Sequence, residues 1–250
     1  PDSNRSEKIK VKLVGILRGY ISGEREDLAI IALESLKEIG DTSSAKQVVA
    51  CLSDTRWRVR VAALDLCIKI DSTEVKKAVE KLLDDDDEYV LKKAVVAYAT
   101  LMKEKGLRKL KQMFFTGDKY KSPVIAAYLS LDKFVPDELI QGLKGIDTQV
   151  LYPIVQCLNK AEKYAVPLAR FLAVHDELDI SCPALAFIAK TQPQAPDNLT
   201  LIIGAIESGV SEKIMAVTSS LILKSDNDSY GHRGELFEKL QSAEKSAKVK

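Results

Sequence analysis

The chain has 250 residues, of which 46% are hydrophobic and 29% charged, and its formal net charge is +1. That balance excludes a disordered chain or a fibre and leaves no overall field to draw nucleic acid or acidic lipid. No stretch approaches the roughly 18 apolar residues of a membrane span, and aromatic residues are only 6%, so Ala, Leu, Val and Ile must fill the core, which suits closely packed helices.

In chain order, residues 1–6 are polar and are expected to fray. Over 7–21, Ile9, Leu13, Ile16, Leu17 and Tyr20 recur at helical spacing, and Ser22-Gly23 stops that helix. The next, 27–39, sets Leu28, Ile31, Ala32, Leu36 and Ile39 on one face and ends at Gly40, the residue type that closes helices in the left-handed conformation. Ser43 or Ser44 caps a further helix carrying Val48, Val49 and Leu52. The stretch 56–70 has two apolar stripes: Val59, Ala62, Ala63, Leu66 and Ile70 beside Val61, Leu64 and Ile68. It must therefore be covered on more than one side. Asp71 and Ser72 supply a turn and an N-cap for the amphipathic helix 73–83, through Val75, Val79, Leu82 and Leu83. One hairpin cannot cover both stripes, so near-copies are expected to stack on it.

The copies are visible in the spacing. Leu28, Val59 and Val90 lie 31 apart, as do Ala32, Ala63 and Ala94, and Asp54 precedes Asp85 by 31. Further helices are predicted at 88–103, 106–115, 122–134, 136–143, 148–158, 161–174, 181–191, 197–206, 211–224 and 234–241. Pro136 is placed in a first helical turn, Gly106, Gly117, Gly145 and Gly209 fall between helices, and Pro153 and Pro167 kink helices or mark their starts. The Lys-rich tail from 242 is expected to fray. A hairpin about every 31 residues, some seven times over, predicts an all-α right-handed α-α superhelix, a solenoid running as one domain through 1–250 with its clearest repeats over 28–104.

Little in the chain carries chemistry. Cys51, Cys67, Cys157 and Cys182 form no CxxC pair and lack histidines at metal spacing, so they read as free thiols of a reducing, cytoplasmic compartment, the first three on apolar helix faces and Cys182 at a helix start. His175 is at a helix end and His232 in a turn, too few to build a catalytic or metal centre. The acidic run 84–88 reads as a solvated turn with one capping Asp. The segment 226–231 resembles the opening of a calcium loop but has Tyr230 and Phe237 where ligands belong. No cofactor, metal or catalytic residue is expected. Pro1 is not an initiator, so the chain reads as a fragment or a processed product.

The phrase Asp54-x-x-x-x-Val59-Arg60-x-x-Ala63, echoed by Asp85-x-x-x-x-Val90-Leu91-x-x-Ala94, resembles the HEAT repeats, in particular their short bacterial and archaeal variety. The resemblance implies a curved two-layer array whose second helices line the concave face, and partner binding in place of catalysis. It also implies a ladder between neighbouring repeats, built here from Asp54, Arg60 and Asp85, with Leu91 in place of the next arginine. Two groups are candidate contacts. Trp57 with Arg56, Arg58 and Arg60 either packs on the next repeat with its arginines solvated or paired, or receives an acidic peptide or phosphate. The run 103–115 places Lys103, Lys105, Arg108, Lys109 and Lys111 around Leu107, Leu110, Met113 and Phe114, an amphipathic helix with a basic face. The function expected is a protein-interaction scaffold. The alternative is nucleic-acid binding through Arg56, Arg58, Lys103, Lys105, Arg108, Lys109 and Lys111, of the DNA-glycosylase kind or as a backbone binder. A glycosylase needs an aromatic cluster beside a carboxylate and a di-iron hydroxylase needs His-Glu pairs, and neither is found; a bilin lyase of the short HEAT kind is a further enzyme alternative, as little supported by the residues as the glycosylase.

Overall fold

The computed structural model describes residues 2–70 and 72–225, and these contain fourteen α-helices and no strand. The expectations at Asp71, His232, 226–231, 234–241 and the tail from 242 lie outside the described residues. The helices fall into two compact units, one ending at Ala127 and the other beginning at Tyr128.

In the first unit α1 (Asp2–Ile21), α2 (Glu26–Ile39), α4 (Trp57–Cys67) and α6 (Glu88–Met102) follow one another in contact, α1 on α2, α2 on α4 and α4 on α6. The return helices α3 (Ala45–Cys51), α5 (Thr73–Lys81) and α7 (Glu104–Phe114) complete the hairpins, with α3 on α5. Ala32, Ala63 and Ala94, one per repeat, are all buried, and their small side chains let successive helices approach closely. Between them stand Leu36, Val59, Leu66 and Val90, each with no exposed area and each contributing about 1.5–3 kcal/mol of apolar burial. The helix ends are closed by identifiable groups. Gly40 takes φ 70° and its neighbour Asp41 returns an N–H to Leu36 O, Ser72 Oγ accepts from Val75 N at 3.1 Å, and Asp87 accepts from the amides of Tyr89 and Val90.

Several local expectations change. Helix α1 begins at Asp2 and buries Val14 and Ile21, leaving Ile9, Leu13, Ile16 and Tyr20 outside. Helix α2 turns Ala29, Ala32, Leu33 and Leu36 inward and leaves Ile31 54% exposed; an apolar run that offers two faces is oriented by the helices on either side of it. Ser44 stands at the N-cap of α3 without accepting a capping bond. Instead its hydroxyl and that of Ser43 donate to the buried Asp41 carboxylate, which also takes both backbone N–H groups. Gly106 is inside α7, not between helices. Its missing Cβ would meet Met102 Cβ at 2.9 Å and Tyr98 O at 3.1 Å, so glycine is required by close approach. The turn before it is a single residue, Lys103, at φ 51° and ψ −131°.

Helix α8 (Lys121–Ser130) contains the boundary. In the second unit α9 (Asp137–Gln141), α10 (Thr148–Val155), α11 (Val166–Ala173), α12 (Leu178–Thr191), α13 (Pro196–Glu207) and α14 (Ser211–Ser225) follow. Helix α12 packs on α10, α11, α13 and α14, and its succession of buried and half-buried positions over 180–189 repeats that of α6 over 90–99. Pro136 is the N-cap of α9, just outside the helix, and the helix expected over 122–134 stops at Ser130 because Asp132 turns to φ 53°. The one over 161–174 opens as a 3-10 turn at Glu162–Ala165, with Pro167 in the first turn of α11, while Pro153 stays inside the last turn of α10. Cys182 is within α12 and half-buried; Cys51, Cys67 and Cys157 are buried, and all four are free.

Candidate functional site

Residues 54–60 act at the junction of two repeats. Asp54 Oδ1 accepts the Arg56 amide at 2.9 Å, and the Arg56 guanidinium folds back on both carboxylate oxygens while reaching the carbonyls of Gly23 and Glu24 in the preceding repeat. That guanidinium, the largest of the influences on Asp54, holds its carboxyl below the usual carboxylate range. Arg56 is thereby committed to internal contacts. Arg60 donates to the carbonyls of Asp54 and Thr55 and to Asp85 Oδ1 at 2.9 Å; the two side chains are 14% and 10% exposed. Asp85 also accepts the amide of Asp87. This gives one rung between adjacent hairpins. The positions one repeat away on each side are Ala29 and Leu91, both buried, so no second arginine extends it.

Trp57 and Arg58 point the other way. The Trp57 indole stacks on Tyr89, 31 residues beyond Arg58, with centroids 5.5 Å apart and planes at 22°. The Arg58 guanidinium caps the indole at 4.5 Å and Lys92 Nζ stands 5.9 Å from the Tyr89 ring. Tyr89 is 65% exposed, Arg58 is exposed and Trp57 half-buried. Two aromatic faces between two cations thus bridge α4 and α6 in contact with solvent. The sequence singled out Trp57 and Arg58 but not Tyr89 or Lys92. The 31-residue offset from Arg58 to Tyr89 was the available signal.

The basic run is divided. Lys103, Lys105 and Arg108 are exposed, Lys111 is half-buried, and Lys109 is ion-paired with Glu80 of α5. Leu107, Leu110 and Phe114 are buried beneath them. In the acidic run, Asp84 takes hydrogen bonds from Lys119 and Tyr120, in that order the main reasons its carboxyl titrates below the ordinary range. Asp85 and Asp87 serve the rung and the α6 cap.

A shallow open groove of about 430 Å³ borders α3, with Lys46, Gln47, Cys51 and Asp54 among its walls. Burial pushes the Cys51 thiol up to about 11, which keeps it protonated and a poor nucleophile. His175 Nδ1 accepts the Glu177 amide. Among the described residues no group of three His, Cys, Asp or Glu side chains is placed to hold a metal ion, and no helix is long and apolar enough to cross a membrane.

Residues 15–114 match the family model of the HEAT repeats. No curated protein matches the sequence. Among solved structures the chain is similar to one of the complex of CpcE and CpcF of phycocyanin lyase from Nostoc sp. PCC7120, at 14% identity over 84% of this chain and 94% of that one, with a TM-score of 0.47. Two engineered proteins align at 17% identity. One covers 92% of this chain and 71% of its own with a TM-score of 0.40, the other 95% and 99% with a TM-score of 0.33.

Proposed function

As a chain whose residues 15–114 are HEAT repeats, this is a HEAT-repeat protein, and we propose that it works as a non-catalytic scaffold that binds a protein or peptide on the α4–α6 face. The observation that carries this is the Arg58–Trp57–Tyr89–Lys92 sandwich. Tryptophan, tyrosine and arginine are the side chains that concentrate binding energy at interfaces, and here they are held by stacking on two rigid helices, so little order remains to be imposed by a ligand. Arg58 suits a peptide with a carboxylate near an aromatic or aliphatic anchor, while Lys92 already holds the Glu88 carboxylate at 2.8 Å.

Nucleic-acid binding is the weaker reading. Of the seven basic residues it would use, Arg56 is bound to Asp54 and Lys109 to Glu80, and the Asp84 to Glu88 run lies beside the same hairpin. Selection of a displayed peptide library on the full chain, compared with a Trp57→Ala/Tyr89→Ala variant whose helicity is checked by circular dichroism, tests the proposal. Peptides that bind the parent and lose about tenfold or more in affinity on the variant are expected. Equal binding to both proteins, or no peptide enriched while single-stranded nucleic acid is retained in a salt-dependent way, overturns it.

A further inference from the structure

A second surface, on α1 and away from the α4–α6 sandwich, has the form of a helix-pairing seam. Ile9, Leu13, Ile16 and Tyr20 are 60%, 42%, 50% and 47% exposed, although α1 packs on α2 and α3 through Val14 and Ile21. The four recur at intervals of four, three and four residues. At 100° per residue they share about 60° of arc, in the alternating four-three spacing of a coiled-coil stripe, and the half-buried Leu17 widens the apolar face to about 100°. Gly19 borders the seam, with nothing within 4 Å of where its Cβ would stand. Lys12 and Lys8 flank one side and Lys10 the other; all three are exposed, and none has an ion-pair partner among the described residues.

We propose that this seam docks an amphipathic helix of another protein, one whose apolar heptad positions are flanked by Glu or Asp. The lysines select the occupant. A second copy paired antiparallel about the middle of the seam would set Lys8 against Ile21 and Lys12 against Leu17, with no carboxylate to meet them. A parallel copy would set lysine against lysine. A foreign helix with acidic flanks covers the four apolar side chains and neutralises three cations together.

The probe is a synthetic three-heptad peptide with Leu at its seam positions and Glu at the flanking ones, its binding to the full chain followed by fluorescence anisotropy. A matched peptide with Lys at the flanks is the control. The Glu peptide should bind and the Lys peptide should not. Leu13→Glu/Ile16→Glu should weaken the Glu peptide about tenfold or more, and Lys8→Glu/Lys12→Glu should exchange the preference in favour of the Lys peptide. All four positions are exposed, and Ile16→Ser is a milder variant should Leu13→Glu/Ile16→Glu lose helicity. Three results overturn the proposal. The first is equal binding of the two peptides, or binding indifferent to the seam variants. The second is a concentration-dependent dimer in sedimentation equilibrium that Leu13→Glu/Ile16→Glu abolishes, which assigns the seam to a second copy. The third is seam-dependent binding to phosphatidylcholine vesicles containing phosphatidylserine in place of the peptide, which assigns it to a membrane surface.

Discussion

The Arg60–Asp85 rung allows a quantitative test of how neighbouring hairpins are tied. Arg60→Leu gives α4 the residue that α6 carries at the same repeat position, Leu91. The substitution removes hydrogen bonds to Asp54 O at 2.9 Å, Thr55 O at 3.2 Å and Asp85 Oδ1 at 2.9 Å, and it leaves Asp85 largely buried with only the Asp87 amide. Breaking a buried pair costs about 3–5 kcal/mol, which is an upper limit here because Asp85 keeps one donor. Arg60 Nε is buried without a partner, so that penalty disappears with the arginine, and the leucine recovers about 1–2 kcal/mol of apolar burial. The net loss is about 2 kcal/mol. A double-mutant cycle with Asp85→Asn, read by urea unfolding at constant m, should give a coupling of about 1.5–2 kcal/mol. Lys93 and Asp65 also join α6 to α4, but their side chains are 49% and 34% exposed, and their coupling should be about 0.5 kcal/mol. A rung coupling no larger than that of the exposed pair would refute the assignment of the α4–α6 junction to a buried ion pair.

Lys103→Gly should raise stability by about 1 kcal/mol, because relief of a side chain at φ 51° and ψ −131° outweighs the extra freedom of glycine in the unfolded chain; thermal melting checks it, and a lower Tm contradicts it. Gly106→Ala should do the opposite, losing about 1–2 kcal/mol despite the better helix propensity of alanine, since the new Cβ meets Met102 and the Tyr98 carbonyl. For Asp41, burial alone would raise the carboxyl, but hydrogen bonds from Ser43 and Ser44 prevail and set it below its ordinary value. A depressed folded-state value means that its stabilisation is complete above the unfolded pKa near about 4 and is lost as pH falls through the lower folded value. The Tm should therefore drop below about pH 4, and Asp41→Asn should lower the Tm at neutral pH while flattening that acid limb. An unchanged limb would remove Asp41 from the account.

What the sequence disclosed depended on how locally each feature is specified. The Ser72 cap and the Gly40 stop are written in single residue types, and the repeat in the spacing of Val59 and Val90, so these could be read directly. The inward face of α2 could not, because Ile30, Ile31 and Leu33 offer competing stripes and the choice belongs to α1 and α4. Gly106 looked like a loop residue because glycine marks both turns and close approaches, and here Lys103 makes the turn. In the second unit a buried polar contact went unseen: Arg170 donates to Asn198 and Asp197, while the fully buried Asn198 donates to Gln192 O. No repeated phrase announces those side chains. At the candidate surface Trp57 and Arg58 stood out by composition, whereas Tyr89 and Lys92 acquire meaning only when the second helix is laid beside the first.

The one-residue elbow at Lys103 limits how the α6–α7 hairpin can move. Lys103 is at once the C-cap of α6 and the N-cap of α7, and the Gly106 backbone sits against Tyr98 and Ala99. No slack linker is available to swing one arm while the other stays still. A ligand gripping Tyr89 near the far end of α6 therefore meets a stiff bracket, and displacement of that arm must carry α7 with it.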